Sequence, residues 1–210
     1  MNAFKKLYKK LKRKYGCPKG QWSLWCKRPK TKGEKEEVVM GAILTQRTNW
    51  KNVELALKNL RKEEVLSIEK IYQLKNRKKF LEKLIHPSGF YKQKARRLLK
   101  FSEFIIKKHK SLENFFKQDL EICRKELLKI YGIGPETADS ILLYAGDLPI
   151  FVIDEYTRRL AKKFKLAKKF SHDHLQKLFQ ENLPKSFKIY QDFHALIVME
   201  GKRITKRVAN

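Results

Sequence analysis

Acidic residues are scarce in this chain: 22 Asp and Glu face 50 Lys and Arg across 210 residues, a formal charge of +28. The positive residues run through every segment instead of forming one arm, so a polyanionic partner is the first inference. Charge alone leaves nucleic acid, an acidic membrane surface and a generally lysine-rich composition in competition. Cysteine is scarce too. Cys17, Cys26 and Cys123 make three, too few and too odd for a disulfide framework, which points to a reducing compartment. Long apolar runs are missing: no stretch approaches the roughly 18 residues that cross a bilayer. The segment from Met1 to Lys14 sets Phe4, Leu7, Tyr8 and Leu11 among lysines without an apolar signal core. A cytoplasmic protein with no membrane partner is expected.

Strand signals are nearly absent as well. The one candidate, Ile150 to Ile153, is short and has no partner in sequence, and there is no internal repeat or low-complexity segment. What is present is a 42% hydrophobic composition with 13 Phe, enough for a buried core. Apolar spacing predicts a basic amphipathic helix over 1–14, a buried helix from about Glu34 through Leu44, and another from Val53 to Leu60. Two short helices are expected within Val65–Ile85, one from Tyr91 to Lys108, and one from about Leu120. Beyond residue 154 the pattern predicts helices to about Phe164, over His172–Phe179 and over Ile189–Gly201.

The stretch Leu127 to Leu160 reads LLKIYGIGPETADSILLYAGDLPIFVIDEYTRRL. An apolar helical run stops at Gly132-Ile133-Gly134, and a second restarts at Pro135, which suits the first position of a helix. Glycine at 132 and 134 admits backbone angles closed to other residues. Two helices joined by a tight turn result, with backbone N–H groups at the second N-terminus placed to receive an anion such as a nucleic-acid phosphate. The apolar segment after it delivers one carboxylate, Asp154. Asp154 has two readings: an N-cap for the helix that follows, and a catalytic group.

The pattern L-x-x-x-x-G-I-G-x-x-T-A-x-x-I followed by V-I-D resembles the helix-hairpin-helix and Gly/Pro-Asp signature of the endonuclease III superfamily of DNA glycosylases. The likeness runs from about Val38 to Gly201, and G-A-I-L-T-Q (Gly41–Gln46) with H-P-S-G-F-Y-K-Q-K-A (His86–Ala95) is most similar to the 3-methyladenine glycosylase branch. The resemblance implies an all-α, two-lobed glycosylase fold: residues 36–140 as a six-helix lobe ending in the hairpin, and 1–35 plus 141–210 as a discontinuous second lobe carrying Asp154. It further implies a nucleoid-associated, monomeric protein whose partner is double-stranded DNA containing damaged bases.

Glycosidic cleavage passes through an oxocarbenium-like state, so it needs a carboxylate beside the sugar and a pocket for an extruded base. The resemblance assigns the carboxylate to Asp154. Bifunctional members use a lysine eighteen residues ahead of the aspartate; this chain has Glu136 there, which cannot form a Schiff base. Monofunctional hydrolysis follows, and Glu136 joins Trp50 and Trp25 as expected base-pocket residues; Trp50 reads equally as a core tryptophan. Gln46 is the expected filler of the gap left by the flipped nucleotide, with helix capping as its alternative. Gly132, Gly134, Pro135, Thr137, Lys92 and Lys94 are the remaining expected DNA contacts. Three cysteines cannot supply the four thiolates of the iron–sulfur cluster found in many relatives, so no such cofactor is expected. The resemblance does imply a monovalent cation on the hairpin carbonyls. His172 and His174 lack a matching pair of ligands, and no metal is expected there. The alternatives are an oxidised-base or mismatch glycosylase with lyase activity, and a non-catalytic hairpin protein that binds nucleic acid.

Overall fold

A computed structural model describes residues 2–208. Among them the apolar periodicities resolve into thirteen α-helices and no strand, in two compact units. One unit, Met1–Lys27 with Asp147–Asn210, carries α1 (Ala3–Tyr15), α2 (Gln21–Trp25), α11 (Glu155–Lys163), α12 (His172–Asn182) and α13 (Phe187–Val208). The other, Arg28–Gly146, carries α3 (Lys32–Leu44), α4 (Trp50–Lys62), α5 (Ile68–Gln73), α6 (Lys78–Leu84), α7 (Tyr91–Phe104), α8 (Leu112–Phe116), α9 (Leu120–Leu128) and α10 (Pro135–Tyr144). The sequence expectation set the boundaries at 36 and 140, whereas the units divide at 28 and 147. Residues 1, 209 and 210 of the expected second lobe lie outside the described residues.

In the 28–146 unit, Thr31 and Glu34 form a reciprocal capping box that starts α3. Asn49, Ser67, Ser111 and Asp119 cap α4, α5, α8 and α9 through their side chains. Val38, Val39, Met40, Ala42, Ile43 and Leu44 are all buried. A helix apolar around most of its circumference belongs in the centre of a unit, and α3 packs against α4, α7 and α10. Two features differ from expectation. The long helix predicted to Lys108 ends at Phe104 and continues as a π-helical turn over Ile105–His109, and α8 was not foreseen because five residues are too short for a periodic signal.

The other unit is built on aromatic packing. Phe151 stacks on Phe179 with centroids 4.3 Å apart and meets Tyr190 and Phe193 edge-on, while Phe4 of α1 closes on Phe179 at 4.9 Å. The strand candidate is an extended segment without a ladder. Its backbone is satisfied by two glutamines of α12: Phe151 N–H donates to Gln180 Oε1 at 2.9 Å, and Gln176 Nε2 donates to the Phe151 carbonyl at 2.7 Å. Buried Glu200 ties α13 to α1, accepting from Lys14, Tyr15 and Arg203. Burial raises its pKa, but those donors prevail and hold it at about 2. No helix among the described residues is long and apolar enough to cross a membrane.

Replacing Gln176 and Gln180 together with Ala strips the Phe151 peptide of both partners, and denaturant unfolding is expected to show a loss of about 1–3 kcal/mol for each orphaned group. Glu200 carries a sign-defined pH effect. A carboxyl lowered to about 2 stabilises the fold fully above its ordinary value near 4.5, and that contribution disappears as pH falls through the interval. Glu200→Gln should therefore flatten the acid arm of a stability–pH curve between those values.

Candidate functional site

Within the 28–146 unit the hairpin turn follows directly from its residues. After α9 the chain tightens through Ile130 N–H to the Leu127 carbonyl at 3.0 Å and Ile133 N–H to the Ile130 carbonyl at 3.1 Å. Gly132 then adopts φ +78°, and a Cβ there would collide with the Arg97 side chain, its Cδ lying 2.7 Å away. Gly134 corrects the expectation. Its φ of −92° is open to any residue, so what its missing side chain provides is space: nothing lies within 4 Å of a Cβ built there. Gly134 is the N-cap of α10, Pro135 is its first residue, and no side chain at the cap closes the helix end. An anion can approach this terminus closely.

The G-A-I-L-T-Q and H-P-S-G-F-Y-K-Q-K-A landmarks meet at one point. Lys94 is fully buried, and its Nζ donates to the Leu44 carbonyl at 2.8 Å and the Ser88 carbonyl at 2.6 Å. This overturns the expectation that Lys94 binds DNA phosphate, because its ammonium closes the end of α3 from the inside. Burial, with Arg97 adding to it, lowers its pKa to about 8. Two residues beyond Leu44, Gln46 is half-buried. Its Nε2 donates to the Gly132 carbonyl at 2.9 Å and to Thr137 Oγ1 at 2.8 Å, and its Oε1 accepts from Arg97. Thr137, expected to touch DNA, is buried and braces Gln46. Arg97, which sequence reasoning missed, supports both Gln46 and the turn. The hairpin carbonyls suit a hard monovalent cation in donor type, although those of Gly132 and Ile130 each already accept one hydrogen bond.

The rest of the 28–146 unit sorts the remaining expectations. Lys92 is exposed in the first turn of α7, and Glu136 is exposed in the first turn of α10. Trp50 opens α4 and is half-buried, which differs from a core tryptophan. Tyr131, exposed on the turn, carries the Arg96 guanidinium 4.1 Å above its ring.

The other unit holds Asp154, and both readings of its position meet in one geometry. It is the N-cap of α11, with Oδ1 accepting from Thr157 N–H at 2.7 Å. Oδ2 lies 3.4 Å from Nε2 of His194 on α13, and the Asp154 side chain retains 13% exposure. Burial raises the carboxyl's pKa, but the His194 charge and hydrogen bonding from Thr157 outweigh it and leave Asp154 below its ordinary value. Burial raises the pKa of Tyr156, and Asp154 adds to that rise. Lys202, solvent-exposed overall, loses enough hydration to lower its pKa while Asp154 opposes the change. Trp22 stands edge-on to the His194 ring at 5.8 Å and to Trp25 at 5.6 Å. Trp22 and Trp25 are both buried. His194 carried no sequence signal, since a lone histidine on an apolar helix looks like any core residue.

A family profile described as "HhH-GPD superfamily base excision DNA repair protein" matches residues 40–185. The chain belongs to that family. A protein of Methanocaldococcus jannaschii that carries the provisional name of a DNA repair glycosylase is 46% identical over 176 residues, covering 82% of this chain and 79% of its own. Endonuclease III of Thermotoga maritima is 27% identical over 171 residues, or 80% and 74% of the two chains. Among solved structures, the 3-methyladenine DNA glycosylase of H. pylori bound to 1,N6-ethenoadenine superposes with a TM-score of 0.79 at 31% identity, over 97% of this chain and 98% of that one. A trapped endonuclease III–DNA intermediate shares the fold at TM-score 0.75 and 18% identity, over 97% of this chain and 88% of that one.

For this HhH-GPD protein, Lys94→Met should cost about 1–3 kcal/mol by orphaning two carbonyls. A lysine held near 8 in the fold and near 10.5 when unfolded makes stability rise with pH between those values, because the unfolded chain binds the extra proton. Parent-minus-variant unfolding curves across that range should contain this rise.

Proposed function

We propose that the chain is a monofunctional DNA N-glycosylase that flips alkylated purines such as 3-methyladenine from double-stranded DNA and hydrolyses their N-glycosidic bonds. The observation that carries this reading is Asp154: a sheltered carboxylate whose pKa is held low, fixed through one oxygen and partly exposed. Beside a deoxyribose such a group stabilises the positive charge that develops at C1′ and orients the attacking water. Water oxygen bonds to C1′, the base departs with the bonding electrons, and the water proton passes to Asp154. An alkylated purine is cationic, so those electrons neutralise it and no acid need protonate the leaving group.

Selectivity is assigned to Trp50, helped by Trp25, because a cationic base over an electron-rich ring gains about 0.5–2 kcal/mol over a neutral one. That the H. pylori relative was solved with 1,N6-ethenoadenine supports a purine as substrate. The hairpin N-terminus with Gly134 and Pro135 is assigned to a backbone phosphate, Lys92 to a second, and Gln46 to the gap in the duplex. A monovalent cation on the turn carbonyls belongs to this assignment; no iron–sulfur cluster does. Glu136 replaces the lysine that lyases use, so the sugar is not attacked by an amine at that position. Lys202 is the amine to watch, because lost hydration makes it more nucleophilic.

Base release from bulk-methylated DNA, with products separated by chromatography, tests the whole reading. The parent should release 3-methyladenine, and Asp154→Asn should still bind DNA while losing about 10²–10⁴-fold in rate. Borohydride should trap no covalent adduct; an adduct lost in Lys202→Gln would establish lyase chemistry instead.

A further inference from the structure

The carboxylate of Asp154 is gripped from two helices, and only one grip follows from its position in the chain. Oδ1 is held by the N–H of Thr157 on its own helix. Oδ2 faces Nε2 of His194 at 3.4 Å, forty residues away on α13. We propose that His194 is a positioning residue of the Asp154 reaction, one that touches no substrate and acts by fixing the direction and charge of the carboxylate. The inference rests on Asp154 being the catalytic group.

Three observations carry it. First, the His194 side chain is 5% exposed, and a buried imidazole is found beside a carboxylate where one needs the other. Second, its ring is fixed on two sides by aromatic edges: Trp22 at 5.8 Å and 88°, and Phe151 at 6.4 Å and 89°. The ring therefore cannot swing away from Oδ2 without disturbing the aromatic core. Third, α13 is pressed onto α11 about two turns beyond His194. A Cβ on Gly201 would strike the Tyr156 ring and lie 3.1 Å from its Cβ, so a small residue there lets the two helices pack closely. An N-cap alone needs a single oxygen; the second oxygen faces a histidine of another helix.

The titratable groups facing Asp154 are His194 and Lys202 from α13 and Tyr156 from α11; Trp22 from α2 and Phe151 contact the histidine without charge. Removing His194 takes away the largest of the influences that lower the Asp154 carboxyl, so it protonates at higher pH.

Single-turnover base release and DNA affinity, measured separately across pH, test the proposal in His194→Gln, His194→Ala and Asp154→Asn. His194→Gln keeps a side-chain N–H near Oδ2 without the charge. Its rate at neutral pH is expected to fall at least tenfold with DNA affinity unchanged within about twofold, its acid limb should move to higher pH, and part of the loss should return above that limb. His194→Ala should lose more and recover nothing. Parental rates and pH profiles in both folded variants overturn the proposal, as does a fall in DNA affinity and thermal stability that accounts for the lost rate. If His194→Ala does not fold, the Gln variant decides alone through its limb position. Failure of the underlying reading looks different: Asp154→Asn then retains base release, which removes this inference as well, whereas a dead Asp154→Asn beside unaffected His194 variants removes only the histidine's role.

Discussion

A carboxylate that is to steer chemistry away from bulk water must stay ionised where burial favours its neutral form. Asp154 meets that constraint by sharing its two oxygens between an amide of α11 and a histidine of α13. The bond that starts α11 thus also fixes one oxygen of this carboxylate. The cap fixes the carboxylate's backbone, the low-dielectric surroundings strengthen each interaction with it, and the aromatic core around Phe151 supplies the rigidity that a single capping bond lacks.

The 28–146 unit solves a different problem, that of presenting a loop and a turn to a ligand without letting either collapse. Lys94 does this from beneath. Its ammonium is bonded to the last carbonyl of α3 and to a carbonyl of the His86–Ser88 turn, so the end of the helix is closed by a charge instead of by solvent. Gln46 carries the same order outward to the hairpin. Lys94 and Thr137, offered by the sequence as DNA contacts, instead hold the end of α3 and Gln46 from within.

The large positive charge has more than one use. Part of it is absorbed locally: Glu103 receives both Lys100 and Lys107, and Arg61 embraces Glu37, on exposed helix faces. Such pairs contribute little to stability. The hairpin differs from those faces because it offers backbone N–H groups and room beside Gly134 rather than side-chain charge.

Most of the helices and the hairpin were legible in the sequence because they rest on local rules: apolar spacing, capping residues, and a glycine at 132 whose φ of +78° suits glycine; the short α2 and α8 left no periodic signal. The capping reading of Asp154 was legible because an acid just ahead of a helix is a local signal too. What the sequence could not carry were roles set by residues distant in the chain. Lys94 looked like a surface cation because periodicity does not report which lysine finds two carbonyls in the interior. The Ile150–Ile153 segment looked like a strand because its partners are glutamine side chains rather than a neighbouring strand, and Trp22 and His194 are linked to Asp154 only through the packing of α2 and α13. Sequence determined where the acid and the turn would be; the tertiary structure decided what holds them, since burial and pairing across helices exist only once the chain has folded.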